Sequence, residues 1–186
     1  KSHTIRAVAI ASMAEGDSLV VNPLVSGDTL SSLNAAEALG AQIERKNDFW
    51  RVKGTRGLIR QHSKTIDLGN SGTSLRLFTA LAALGDTVYS FDGDSSLRTR
   101  EMKPLLNSLD QLGAETKSSN YKCPLSVRGP IRGGYTEIDA KSSQFLSALL
   151  LSAPLVELKD TKIHVTKLNE KPYVEITLDW LRRQQI

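Results

Sequence analysis

A single cysteine, Cys123, leaves no partner for an internal disulfide, so a reducing, cytoplasmic setting is expected. A thiol nucleophile needs a base and an electropositive neighbourhood. Cys123 sits instead in the strand-like run Lys122-Cys-Pro-Leu-Ser-Val127 and reads as a space filler. Aromatic residues make up only 5% of the chain, and no basic run interleaves with them as a base-stacking platform requires. The net charge of +4 suits anionic ligands but is too mild to imply nucleic acid. No run of ~18 apolar residues is available to cross a membrane, and the first residues form neither a signal nor a transit peptide. The three histidines, His3, His62 and His164, lack paired metal-ligand spacing, so no metal and no cofactor are expected. Nor does the spacing argue for a Ser–His–Asp constellation. The chain opens on Lys-Ser-His-Thr without a methionine and stops within the helix-like Trp180-Leu-Arg-Arg-Gln-Gln-Ile186. Both ends look cut, which suggests a piece of a longer protein.

What the chain does have is repetition. Residues 3–14 read as an alanine-rich helix ending at Glu15-Gly16-Asp17. A strand at 18–22 follows, then a helix over 29–39 with Asp28 as N-cap and Gly40 just past its end. Residues 41–44 and 49–53 alternate like hairpin arms. The same order recurs. An apolar helix over 73–84 ends at Gly85-Asp86-Thr87, and a strand at 88–92 follows. A second helix ends in Leu112-Gly-Ala114, and Val127-Arg-Gly129 matches Val52-Lys-Gly54. A third copy begins at Ser142, with a helix over 145–153, a strand over 162–166 and a further helix near Pro172.

The period of about 70 residues is longer than that of ordinary solenoids, so a closed pseudo-threefold α/β domain is expected. Its three copies would cover residues 1–67, 68–130 and 131–186. The helices that open the copies are apolar nearly all round and should fill the interior.

Each of those helices starts with small hydroxyl or amide residues: Lys1, Ser2 and Thr4; Asn70, Gly72, Thr73 and Ser74; Ser142, Ser143 and Gln144. The middle one, Leu68-Gly-Asn-Ser-Gly-Thr-Ser-Leu-Arg76, fits either a helix cap or a turn that admits an anion. If the copies are related by a threefold, the three positive helix ends meet on one rim. Lys1 and Arg6 would add full charges there. Arg98, Arg100, Lys171 and Tyr173 would open onto the same rim. Asp28 and Asp94 fit cap and turn roles better than catalysis, and Glu137 and Asp139 read as ordinary edge-strand residues.

Four ordered motifs resemble the 5-enolpyruvylshikimate-3-phosphate synthase (EPSP synthase) family across essentially the whole chain. They are Lys1-Ser-x-x-x-Arg6; Leu68-Gly-Asn-x-Gly-Thr-x-x-Arg76 with Arg100; Ser142-Ser-Gln-Phe-Leu-x-Ala-Leu-Leu; and Lys171-Pro-Tyr173. The resemblance implies one of two similar domains, each of three βαβαββ units with buried helices, an inverse α/β barrel half. It implies transfer of the enolpyruvyl group of phosphoenolpyruvate to the 5-hydroxyl of shikimate 3-phosphate, in aromatic amino-acid biosynthesis. Lys1, Ser2, Arg6, Ser142, Ser143, Gln144 and Tyr173 would then hold shikimate 3-phosphate, Arg6 through its carboxylate and the two serines through its phosphate. Lys1, Asn70, Gly72, Thr73, Arg100 and Gln144 would line the phosphoenolpyruvate pocket. No catalytic acid or base falls in this chain, since the family places them on the second domain, a partner absent here.

Two departures stand out. Ser96 lies where some members carry an arginine. Glu170 lies where many carry a phosphate-binding serine, and it should repel phosphate unless it points away or pairs with Lys171. Two alternatives are the related UDP-N-acetylglucosamine enolpyruvyl transferase and a non-catalytic phosphate-binding module of the same fold. The former usually carries a reactive cysteine in the loop corresponding to residues 93–101, which has none.

Overall fold

The structure, a computed structural model, describes residues 1–60 and 64–186. Three helices form the interior: α1 (Ser2–Met13), α3 (Gly72–Ala82) and α5 (Ser143–Ser152). Their sequences are apolar on nearly every side, and burial follows. Ile5 and Val8 of α1, Leu75, Leu77 and Phe78 of α3, and Phe145, Ala148 and Leu149 of α5 are all withdrawn from solvent. The expected helix spans hold to within one or two residues.

Sheets and amphipathic helices wrap this centre. β1 (Asp17–Val21), β3 (Phe49–Lys53) and β2 (Gln42–Arg45) form an antiparallel sheet in that order. A four-stranded sheet joins β4 (Ile66–Asp67), at the end of the first copy, to β5 (Val88–Asp92), β7 (Lys122–Arg128) and β6 (Glu115–Ser119) of the second, with β4 parallel to β5. β8 (Gly134–Ala140) and β9 (Thr161–Leu168) run parallel in the third. Alternation shows which face is inside: on β7, Cys123, Leu125 and Val127 are buried and Arg128 is exposed. Burial pushes the Cys123 thiol up to about 12, so it is a filler rather than a nucleophile. α2 (Gly27–Ala38), α4 (Lys103–Gln111) and α6 (Lys171–Arg183) complete the shell. On α6 the buried positions are Val174, Thr177 and Leu181, one helical stripe.

The repeat is visible in backbone contacts. Gly54 lies so close to the end of α1 that a Cβ would meet the Ala14 carbonyl oxygen at 2.2 Å. Gly129 lies against the end of α3, where a Cβ would meet the Ala83 carbonyl oxygen at 1.9 Å. The Gly54 N–H donates to Gly16 O at 2.9 Å and the Gly129 N–H to Gly85 O at 2.8 Å. One device thus ties a strand end to a core-helix end in both copies.

Asp28 is not the N-cap of α2. Ser26 is, through a capping box with Thr29, and Asp28 lies in the first turn with its carboxylate 3.2 Å from Lys1 Nζ. Ser and Asp cap a helix about equally well, so residue type alone does not choose between Ser26 and Asp28. Pro23-Leu-Val-Ser-Gly-Asp28 offers both. His62 lies outside the described residues. Among the described residues, no helix is long and apolar enough to cross a membrane, and no three His, Cys, Asp or Glu side chains cluster as metal ligands.

Candidate functional site

The starts of α1, α3 and α5 and the first turn of α6 meet at a cavity of about 180 Å³. Lys1, Ser2 and Arg6 come from the α1 end, Thr73 from α3, Ser143 and Gln144 from α5, and Glu170 and Tyr173 from the α6 entry. Every helix end here points free N–H groups and a positive dipole towards the same space, which favours an anion. A larger groove of about 620 Å³ runs between α1, β1, Leu155 and Trp180. Its walls are mainly apolar (Ala7, Ile10, Leu19, Leu151), and its charged pair, Arg56 and Glu15, neutralises itself at 3.5 Å. It lacks the convergent cations that anion chemistry requires.

Arg6 is 1% exposed, and its guanidinium is largely committed to the protein. Nε donates to Thr177 Oγ1 at 2.7 Å, Nη1 to Ser2 O at 3.1 Å, and Nη2 to Ser147 Oγ at 3.2 Å and Tyr173 O at 3.1 Å. Of five N–H donors, one on Nη1 remains for a ligand. A two-pronged grip on a carboxylate is therefore not set in this conformation. Burial lowers the Arg6 pKa to about 10, partly offset by Tyr173, so the group is charged at neutral pH. Ser147 and Thr177 were absent from the sequence reading. Each lies four residues after a predicted site residue, Ser143 and Tyr173 respectively, as a lone hydroxyl on an apolar helix face. That spacing was the available signal.

Arg76 supports the cavity from below. Its Nη1 donates to Gln144 Oε1 at 2.6 Å and its Nη2 to Glu101 O at 3.3 Å, while the guanidinium lies 4.9 Å from the Phe145 ring centre. With Oε1 occupied, Gln144 turns its NH2 donors away from Arg76. Burial and the neighbouring Arg100 lower the Arg76 pKa to about 10.

Asn70, Gly72 and Arg100 gather beside the cavity rather than in its wall. Arg100 Nη2 donates to Asn70 Oδ1, and Asn70 Nδ2 donates to Asp94 Oδ2 at 2.9 Å. Arg100 lies against Gly72, where a Cβ would meet Nη1 at 2.5 Å. Ser142 is the N-cap of α5 but makes no side-chain cap bond, and it does not line the cavity.

Arg98 and Lys171 do not reach the rim. Arg98 Nε donates to Asp92 Oδ1 at 2.9 Å, and Lys171 pairs with Glu175 at 3.4 Å, one turn along α6. Both have a carboxylate closer at hand than the cavity. Glu170 neither points away nor pairs with Lys171. Its Oε2 accepts from Ser143 Oγ at 3.0 Å.

The family model for EPSP synthase (3-phosphoshikimate 1-carboxyvinyltransferase) matches residues 1–186. The 3-phosphoshikimate 1-carboxyvinyltransferase of Acetivibrio thermocellus is 48% identical over 183 residues, which cover 97% of this chain and 43% of that protein. That of Methanothermobacter thermautotrophicus is 46% identical over 186 residues, 98% of this chain and 44% of that one. A solved structure of EPSP synthase from Acinetobacter baumannii superposes with a TM-score of 0.82 at 26% identity, covering 94% of this chain and 40% of that chain. The chain spans less than half the length of each.

Proposed function

The chain belongs to the EPSP synthase family, and on that premise we propose that it is the shikimate 3-phosphate-holding domain of an enzyme that transfers a carboxyvinyl group from phosphoenolpyruvate. The observation that carries this reading is the convergence of three helix starts, Lys1 and Arg6 on one small polar cavity. Both substrates carry phosphate and carboxylate groups. A site for them needs several cations and free N–H groups fixed before the ligands arrive, because pre-oriented charge costs no reorganisation during reaction.

In this reading Ser2, Arg6, Ser143 and Tyr173 hold shikimate 3-phosphate, and Ser142 closes its phosphate end. Arg6 offers one N–H and a buried positive charge. Asn70, Gly72, Thr73 and Arg100 form the phosphoenolpyruvate side. Lys1 and Gln144 stand between the two, Gln144 presenting the NH2 that Arg76 leaves free. A cytoplasmic location agrees with one buried thiol.

Among the described residues of the cavity wall, Glu170 is the one carboxylate, and it is bound to Ser143. No group is thus poised to take the proton of the attacking hydroxyl. We assign the acid and base to a second domain, corresponding to the length of the relatives that this chain does not span, which would also close over the substrates.

The test is titration calorimetry on the 186-residue chain, with a coupled assay for phosphate release. Weak binding of shikimate 3-phosphate without turnover is expected. Turnover by the chain alone would overturn the division of labour, and absence of any heat with shikimate 3-phosphate would overturn the substrate assignment.

A further inference from the structure

The first N–H groups of a helix have no partner within the helix; the N-cap side chain normally takes that of the second or third helical residue, and the first must find a partner elsewhere. At α5 the N-cap, Ser142, makes no such bond. The partner comes from 27 residues away: Glu170 Oε2 accepts from Ser143 N at 3.4 Å and from Ser143 Oγ at 3.0 Å. Ser143 is 1% exposed, so its hydroxyl faces the cavity wall and little else. The chain has placed one of its own carboxylates where the positive end of α5 meets the cavity.

Arg76 attracts that carboxylate through its charge, but its hydrogen bonds go to Gln144 and Glu101. Lys171, next in sequence, pairs with Glu175. Lys1, across the cavity, is paired with Asp28. Four of the Arg6 donors are spent on protein oxygens. Glu170 therefore takes its hydrogen bonds from Ser143. It sits at the entry of α6 with φ 52 and ψ 41, a left-handed conformation that turns the chain abruptly into the helix.

We propose that Glu170 is an internal ligand, a carboxylate that fills the oxyanion position at Ser143 in the free protein and that an incoming phosphate must displace. The proposal rests on the reading of this cavity as a phosphate site. Two anions cannot share one pair of donors, because the donors are used once and the like charges repel. The apparent affinity for phosphate is then the intrinsic affinity multiplied by the fraction of molecules in which Glu170 has swung out. Glu170 becomes a specificity determinant. It selects against ligands that offer a phosphate alone and admits those whose remaining contacts, to Arg6, Gln144 and Tyr173, offset its displacement.

The test compares the chain with its Glu170→Gln and Glu170→Ser variants, using inorganic phosphate as the probe and the Ser143 backbone amide in a 15N-correlation spectrum as the reporter. Gln keeps the size and an acceptor and removes the charge. Ser also removes the reach. Phosphate should bind about tenfold tighter to Glu170→Ser than to the parent, with Glu170→Gln between them and the shifts centred on Ser143. Equal phosphate affinity in all three, or a gain whose shifts avoid Ser143, overturns the proposal. Unchanged amide positions in the core helices show that the variants are folded, and Glu170→Gln alone decides the matter if Glu170→Ser is not. A parallel titration with shikimate 3-phosphate separates the two readings. If it binds none of the three proteins while the phosphate gain persists, the substrate assignment fails and the internal ligand stands.

Discussion

The starts of α3 and α5 are built alike and closed by opposite charges. At α5 a carboxylate, Glu170, accepts from the first N–H and hydroxyl of the helix, so the positive helix end is already satisfied. At α3 the N-cap hydroxyl of Ser71 accepts from Ser74 N, and a guanidinium, Arg100, lies against Gly72, the first residue of the helix. A cation at a positive helix end is an unfavourable pairing unless an anion comes between them. The α5 side must therefore lose something to bind a ligand, whereas the α3 side only gains. Helix starts that are matched in sequence can differ in readiness, and the difference is set by a residue brought in from another loop.

The largest effect should come from breaking the α3 side at its anchor. A Cβ on Gly93 would meet the Gly69 carbonyl oxygen at 2.3 Å and Leu97 Cδ2 at 2.5 Å, and Asp94 N donates to that same carbonyl at 2.9 Å. Backbone cannot give way as a side-chain tip can. Gly93→Ala should cost about 2–4 kcal/mol in urea unfolding, as backbone clashes in packed sites do. It should shift the amides of residues 68–72 far more than that of Ser143. Unchanged stability would show that the turn is not held by the 93–97 loop.

Arg76 belongs to both sides, since it holds Gln144 of α5 from its seat on α3. Arg76→Met keeps most of the packing over Phe145 and removes the bond to Gln144. About tenfold weaker binding of both substrates is expected, the worth of one charge-assisted hydrogen bond. A loss confined to one substrate would place Gln144 on that side alone. Gly72→Ala should be selective instead. Its Cβ would meet the far end of the Arg100 side chain, which can move at little cost in stability. Phosphoenolpyruvate should bind several-fold more weakly and shikimate 3-phosphate as before, within about 0.5 kcal/mol. Equal losses for both would count against assigning Gly72 and Arg100 to one pocket.

The contrast between these two helix starts marks how far the sequence could be read. The core helices were legible because apolar residues on all sides leave burial as the only outcome, and the period of about 70 residues brought their starts together. Seven of the residues singled out, Lys1, Ser2, Arg6, Thr73, Ser143, Gln144 and Tyr173, do line the cavity. What periodicity cannot supply is the partner of a long side chain. Glu170 and Arg100 reach their helix starts over 27 and about 30 residues, and Arg98 turns to Asp92 across six. Local competition decides such cases: Lys171 has Glu175 one turn away, and that leaves Glu170 for Ser143. The Ser26 cap was misread for a related reason. Residue type does not separate Ser26 from Asp28, and the reciprocal bonds between Ser26 and Thr29 place the helix start two residues earlier.

The smallest effect concerns what holds Arg100 in place. Its partner Asn70 is held by Asp94, whose carboxylate accepts from Leu97 N at 2.8 Å and from Asn70 Nδ2 at 2.9 Å. The Leu97 N–H first, and the Asn70 amide second, hold the Asp94 pKa below the usual carboxylate range. A carboxyl depressed in the folded state stabilises the fold above its unfolded pKa of about 3.9, and that contribution is lost as pH falls through the lower folded value. Acidification should thus release Asn70, and with it Arg100, only below about pH 4. The Asn70 side-chain NH2 signals should move there and not between pH 5 and 7. Asp94→Asn should remove that step while leaving the Ser143 amide unmoved, because the side-chain hydrogen bonds of Asp94 among the described residues go to Asn70 and Leu97 and not to α5. If the Asn70 signals stay fixed through the acid titration of the parent chain, Asp94 does not hold Asn70. The guanidinium over Gly72 must then owe its position to Asn70 and packing alone.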